Sequence, residues 1–440
     1  MKTVCYTRQE KDRRLKLGQE NSMNHSLLKR IIFEQHEVIK KSEIVDRDVA
    51  FEKKGNYVVT GLRRAGKSTL LYKRAKDLIA EGKDWKQIIY INFDDERLFG
   101  FSLNDFDDIL EAAEEISQLE HFYFFDEIQN IDGWERFAVR VANQGLKVDI
   151  TGSNAKMLSK EIEGRLGGRY LSKEVLPYSF GEYLRANLIQ KDGYTAKEKG
   201  KMLSALGDYF AFGGFPEALN FADRREYVSN VFQKVLYGDI VARQKIRNEN
   251  GLKLLIKKIA ESVGQDLSYT RLQNLITGIG YKLSKEGVID YCSYCQDAYL
   301  LFQVQNYYAS FLDKNSNPKF YFMDNGILSL FVDDKASALL ENMVAIELYR
   351  RAKGKLYYLK GKTVAADFYL SEEDAVIQVA YSIKEDIAFE RETSALVKYA
   401  KDGHPNAKLV IVTYEEERDL EIEGFHISVI PLWKFLLKGI

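Results

Sequence analysis

"NYVVTGLRRAGKSTLLYKRAKDLIAEG", residues 56–82, decides how this chain is to be read. A short β-branched run ends at Gly61. From Ser68 onward Leu70, Leu71, Ala75, Leu78 and Ile79 recur at helical spacing until a terminal Gly82. Between the two, Gly61, Gly66, Lys67 and Ser68 satisfy GxxxxGK[ST], so strand, glycine-rich loop and helix follow in the order a phosphate cradle requires. Glycines let backbone N–H groups turn inward onto phosphate oxygens, and the helix N-terminus adds a favourable dipole. Residues Gly61, Leu62, Arg63, Arg64, Ala65, Gly66, Lys67, Ser68 and Thr69 form the candidate nucleotide loop. In it Lys67 reaches the terminal phosphates and Ser68 offers a hydroxyl to Mg²⁺.

A hydrolytic site needs carboxylates nearby, and "HFYFFDEIQNIDGWE" (121–135) supplies them. The bulky run Phe122–Phe125 reads as a buried strand with acids at its tip. Asp126 is expected to hold Mg²⁺ through its waters, and Glu127 to polarise the attacking water as general base. A second run, "KVDIT" (147–151), leads into Ser153 and Asn154. These either orient the lytic water and sense the γ-phosphate or cap the helix beginning at Ala155. Arg165 and Arg169, in "EIEGRLGGRYL" (161–171), either spread the charge of a phosphoryl transition state, in cis or into a neighbouring subunit, or are ordinary surface residues.

Composition sets the frame for these motifs. With 440 residues, 45% hydrophobic and 12% aromatic, the chain has material for about three domains. Five prolines and 30 glycines leave no long Pro-rich or Gly/Ser-rich linker. Lys+Arg 64 against Asp+Glu 65 gives no global field toward nucleic acid or membrane. No apolar run approaches a membrane span and no secretory signal opens the sequence, so a cytoplasmic protein is expected. Three cysteines, Cys5, Cys292 and Cys295, do not make a disulfide framework. The Cys292/Cys295 pair lacks a second ligand pair for zinc and reads as two small apolar residues on one helix face. Residues 1–22 are polar and patternless and are expected to be a disordered tail. The capped amphipathic stretch after Met23 makes Met23 a candidate start.

Taken in order, "TGLRRAGKSTLL", "INFDDERL", "FFDEIQNIDGWE", "TGSNA", "GRLGGRY" and "LPYSFGEYL" resemble a bacterial and archaeal family of AAA-type P-loop ATPases. In that family the ATPase precedes a C-terminal domain of uncertain function. The resemblance implies an α/β fold: a P-loop NTPase three-layer sandwich whose parallel sheet has an added strand, binding ATP and Mg²⁺ over residues 23–175. The paired Arg63-Arg64 resembles the family pattern too. A helical lid (176–250) is implied next, then a winged-helix-like segment (251–316) and a degenerate restriction-endonuclease-like α/β domain (317–440).

Two features bear on what those later parts do. Arg243, Lys245, Arg247, Lys253, Lys257 and Lys258 face only Glu249 in their stretch, so DNA contact through 243–297 stands beside protein docking or a solvated charged face. A PD-(D/E)XK nuclease needs carboxylates on Mg²⁺ and a lysine one strand residue away. Glu341 and Asp367 are present, but Gln378-Val379-Ala380 stands where acid-x-lysine belongs. Cutting is therefore not expected, and Glu341 and Asp367 read as structural remnants. Lys384 has no spacing that would bring it in. The chain shows no second motor domain of a helicase. The expected activity is ATP hydrolysis with Mg²⁺ by Glu127, Lys67, Asn154 and Arg169, repositioning the C-terminal modules toward an unknown protein client, with an oligomer possible. The alternatives are an ATP-regulated DNA-binding switch and an ATP-dependent nuclease.

Overall fold

Five β-strands organise the N-terminal part of the computed structural model, which describes residues 23–52, 55–158, 160–191, 195–310, 317–332, 336–352 and 354–440. The expectations about residues 1–22 lie outside the described residues. The chain separates into two compact units. One comprises the described residues up to Ile44 with Val49–Thr60 and Lys67–Glu174. The other comprises Val45–Asp48, Gly61–Gly66 and Val175–Ile440.

In the first unit the strands are β1 (Asn56–Thr60), β2 (Ile88–Asn92), β3 (Phe122–Asp126), β4 (Lys147–Gly152) and β5 (Tyr170–Glu174), in sheet order β2-β3-β4-β1-β5. Every neighbouring pair is parallel. The strand β4 sits between β1 and β3, which is the added-strand arrangement that the family resemblance implies. A parallel sheet buries both faces, so its strands are near-continuous apolar runs; Ile88–Ile91 and Tyr123–Phe125 are buried throughout. Helices Lys67–Ala80, Phe106–Ile116 and Trp134–Asn143 connect the strands. Phe106 stacks on Phe137 with ring centroids 3.9 Å apart. The helix His25–Lys41 is capped by Asn24, as the sequence after Met23 predicts, and buries Leu28, Ile31, Ile32 and Ile39. On the same face His36 hydrogen-bonds the Ile88 carbonyl at 2.7 Å, and burial pushes its imidazole below the ordinary range.

The second unit begins with helices Phe180–Ala186, Ala196–Phe212 and Arg224–Lys234, the last running into a wide π-helical turn, Val235–Ala242. Three helices follow, Glu249–Glu261, Tyr269–Gly278 and Lys285–Asp297. Cys292 and Cys295 are buried on the last of these. Burial pushes the Cys292 thiol up to about 12 and that of Cys295 well up, as two apolar core residues require.

Strands β6 (Leu301–Asn306), β7 (Lys319–Phe322), β8 (Leu356–Lys360), β9 (Ala365–Leu370), β10 (Ala375–Val379), β11 (Lys408–Thr413), β12 (Arg418–Ile422) and β13 (Phe425–Pro431) then form an eight-stranded mixed sheet, ordered β12-β13-β11-β10-β9-β8-β6-β7. The sequence reading includes β6 in the winged-helix-like segment 251–316, as the strand that follows its three helices. Instead β6 pairs antiparallel with β7 and parallel with β8, so its backbone donors and acceptors are satisfied by this sheet. No helix among the described residues is long and apolar enough to cross a membrane.

Candidate functional site

The tips of β3 and β4 and the start of the helix Lys67–Ala80 bring together Lys67, Ser68, Asp126, Glu127, Thr151 and Ser153 in the first unit. The ammonium of Lys67 is buried and lies 3.8 Å from Glu127 Oε1. Ser68, Thr151 and Tyr90 donate hydroxyl hydrogen bonds to the Asp126 carboxylate, the last at 2.8 Å. Burial, and then the charge of Glu127, holds the Asp126 carboxyl above its ordinary range; the three hydroxyls pull against that.

Glu127 occupies the left-handed region at φ 54°, so the chain turns sharply just after β3 and aims the side chain back toward the strand tips. Its Oε2 accepts from Gln129 Nε2 at 2.5 Å and from Ser153 Oγ at 3.2 Å, while its backbone N–H donates to Thr151 Oγ1 at 3.1 Å. The carboxylate is thereby oriented, with Oε2 braced and Oε1 turned to Lys67. Ser68 and Asp126 give an oxygen-only donor pair that already shares a hydrogen bond, which fits a hard, oxygen-seeking ion such as Mg²⁺.

Of the other residues singled out in the sequence, Ser153 is in this group, and Asn154 makes a local contact. The Asn154 side chain accepts from the Lys156 N–H at 2.8 Å, the local capping role. Arg165 pairs with Glu135 at 2.5 Å, and Arg169 donates to Asn143 Oδ1 at 2.5 Å, so both engage the helix Trp134–Asn143. Tyr90, Thr151 and Gln129 escaped the sequence reading. Thr151 closes the very run that carries Ser153, and Gln129 lies two residues past Glu127, so a search of strand tips for hydroxyls and amides finds both. Tyr90 sits inside an apolar strand, where no pattern distinguishes it from core.

The loop residues Gly61–Gly66 belong to the second unit. Gly61 has φ +148° and a Cβ there would lie 1.9 Å from the Val175 carbonyl oxygen, so no side chain fits; Gly66 has φ +96°. A buried arginine missed by the sequence reading, Arg47, fixes this loop. It donates to the carbonyls of Ala65 at 2.8 Å and Leu176 at 2.7 Å, and to Glu182 Oε1 at 2.9 Å. Burial pushes Glu182 up, but Arg47 and two backbone N–H donors more than offset that and leave its carboxyl below the usual range. Arg63 and Arg64 point to acids of the following helices, Asp239 and Glu217.

A second lysine–carboxylate group lies in a cavity of 770 Å³ further along the same unit. Lys319 on β7 places its ammonium 3.3 Å from Glu341 Oε1 and 3.3 Å from Asp367 Oδ1. Tyr321 donates to the same Glu341 oxygen at 2.8 Å. Asp367 Oδ2 accepts the Val379 N–H at 3.0 Å, and its own N–H donates to Gln378 Oε1 at 2.9 Å. Asp367 thus makes the backbone contact that a structural remnant would make. Lys384, by contrast, is exposed, with Glu415 3.9 Å away. A lysine does reach the two acids, and it comes from β7.

A family model for an AAA domain matches residues 53–184, and one for a domain of unknown function matches residues 203–337. An uncharacterized protein of Methanocaldococcus jannaschii is 34% identical over 432 residues, covering 93% of this chain and 95% of its own. An uncharacterized protein of Haemophilus influenzae is 29% identical over 392 residues, covering 86% and 93%. Among solved structures, a Walker-type ATPase of Pyrococcus abyssi covers 67% of this chain and 99% of its own at 14% identity and a TM-score of 0.40. The Aeropyrum pernix ORC1 protein, solved in complex with DNA, covers 67% and 88% at 16% identity and a TM-score of 0.30. Overlaps that loose carry no argument about activity or partner.

Proposed function

The chain belongs to the same family as the M. jannaschii protein and is an AAA-type P-loop ATPase by its N-terminal domain, and from that premise we propose that it binds ATP with Mg²⁺, hydrolyses it, and uses the nucleotide state to reposition its C-terminal modules. The observation that supports hydrolysis, beyond binding, is the braced Glu127, whose Oε2 is held by Gln129 and Ser153 while Oε1 faces Lys67.

In this reading the loop backbone and Lys67 bind and orient the β- and γ-phosphates. Ser68 and Asp126 hold the metal, directly and through water, and Mg²⁺ when bound neutralises charge on the phosphate oxygens. Glu127 takes the proton of the attacking water, and its three-point bracing fixes the direction from which that water approaches. Residues 176–250 serve as the lid, 251–316 as a docking module and 317–440 as a nuclease-like module that does not cut. Part of the cationic stretch is already engaged within the unit. Arg243 is 3.6 Å from Asp239, Lys258 is 2.7 Å from Glu261, and Lys253 lies over the Tyr237 ring. That favours docking of a protein client over tracking of a phosphate backbone.

The test is phosphate release by the full chain with ATP and Mg²⁺. Glu127→Gln is expected to retain ATP binding and to lose about a hundredfold or more of turnover, the usual contribution of a general base. Unchanged turnover in Glu127→Gln would remove Glu127 from the role.

A further inference from the structure

Two consecutive arginines of the phosphate loop make ion pairs with acids that lie far along the chain in the same unit, and the two pairs differ in kind. Arg64, at φ +65°, is exposed and donates from Nη1 to both oxygens of Glu217, at 3.1 and 3.0 Å; Glu217 also takes the Tyr227 hydroxyl. An exposed pair of this sort contributes little. Arg63 grips Asp239 with two prongs, Nε to Oδ2 at 2.8 Å and Nη2 to Oδ1 at 3.1 Å, and the Asp239 side chain is only 2% exposed. Arg243 lies 3.6 Å from the same carboxylate. A desolvated, bidentate guanidinium pair is held firmly, and removing Arg63 leaves the buried Asp239 carboxylate with the more distant Arg243.

The carboxylate sits on the π-helical turn Val235–Ala242, a geometry that proteins keep in short pieces and mostly where it serves a function. The guanidinium springs from the backbone of the loop that, in the ATPase reading, surrounds the phosphates. Its planar fork suits phosphate oxygens as well as carboxylate oxygens.

We propose that Arg63 is the nucleotide sensor of this protein and Asp239 its competitor: the γ-phosphate of ATP takes the guanidinium from Asp239 and so frees the π-helical turn, whereas ADP leaves the pair in place. The inference rests on the ATPase reading and deepens it. Asp239 acts only through Arg63 and is a positioning residue. The equilibrium between the paired and released states shifts by the difference in affinity of the two nucleotides for the two states, and by nothing else. Asp239 therefore lowers ATP affinity selectively, and its loss must strengthen ATP relative to ADP.

Fluorescent N-methylanthraniloyl ATP and ADP titrated with Mg²⁺ into the full chain test this. Asp239→Asn is expected to raise the ATP-over-ADP preference by about tenfold, within the range of ordinary coupling between sites. Arg63→Gln is expected to abolish the preference, and Arg63→Gln with Asp239→Asn, which removes both charges of the pair and so does not leave the buried Asp239 without Arg63, to match Arg63→Gln alone. An unchanged ratio in Asp239→Asn, or equal weakening of both nucleotides, would overturn the sensor and leave the pair a structural brace. Failure of the unmodified chain to bind either nucleotide would instead overturn the ATPase reading, and the sensor with it.

Discussion

Lys67 with Asp126 and Glu127, and Lys319 with Glu341 and Asp367, are two sets of the same residue types, one in each unit, and they are wired in opposite ways. At the first, the carboxylates are kept apart in their duties. Asp126 is held by three hydroxyls, and Glu127 by Gln129, Ser153 and the more distant Lys67. At the second, one ammonium stands equidistant from both acids at 3.3 Å. Burial would lower the Lys319 amine, but Glu341 and Asp367 raise it above the ordinary range, so the ammonium is kept charged by the acids it neutralises. Residue type alone therefore does not distinguish acids with separate partners from acids closed on one shared cation. The division of partners does.

The largest expected break in this comparison comes from the two lysines. If Lys67 binds the terminal phosphates as proposed, Lys67→Ala is expected to weaken ATP binding by about a hundredfold or more, with little change in melting temperature; nucleotide titration and thermal unfolding check the two together. Lys319→Met is expected to do the reverse. It leaves two half-buried acids without their cation at a cost of about 3 kcal/mol or more of stability, read by denaturant unfolding, while ATP turnover by the folded protein stays unchanged. Adding Glu341→Gln should restore part of that stability, which a loss of packing alone would not allow.

A smaller test separates the buried acids by pH. Burial pushes Asp324 from 3.8 up to about 6, against hydrogen bonds from the Gly214 and Gly326 N–H groups. A carboxyl raised on folding binds its proton more tightly in the folded state. Its stabilisation is complete below its unfolded pKa and is lost as pH rises through about 6. Replacing it by Asn should flatten that stretch of the stability–pH curve, measured by unfolding between about pH 4 and 7. A slope unaltered in Asp324→Asn would assign the titration to another group.

The legible parts of this protein are those written locally. The strand, loop and helix around Gly61–Ser68 announce themselves because each residue's role depends on neighbours within a few positions. The acids after Phe125 and the hydroxyl at Ser153 stand out because polar residues interrupt an apolar strand. Asn154 was open between two roles, and its contact with the Lys156 N–H is the capping one. The parts that stayed hidden are contacts between distant segments. Arg47 reads as one charge in a polar run until its guanidinium is seen between Ala65, Leu176 and Glu182. Tyr90 reads as core until its hydroxyl is found on Asp126. Strand β6 reads as the strand of the winged-helix-like segment until its pairing with β7 and β8 is traced.

By itself, the sequence determined that this chain has a phosphate loop followed by acids at a strand tip, and that Gln378-Val379-Ala380 carries neither an acid nor a lysine. Only the tertiary structure decided which groups brace Glu127, that Arg63 holds Asp239, and that Lys319 is the cation between Glu341 and Asp367. The physical reason is the same in each case. Local backbone geometry follows from side-chain sterics and spacing along the chain, whereas the partner of a buried charge is whichever group the fold brings within hydrogen-bonding reach, and no spacing in the sequence encodes that.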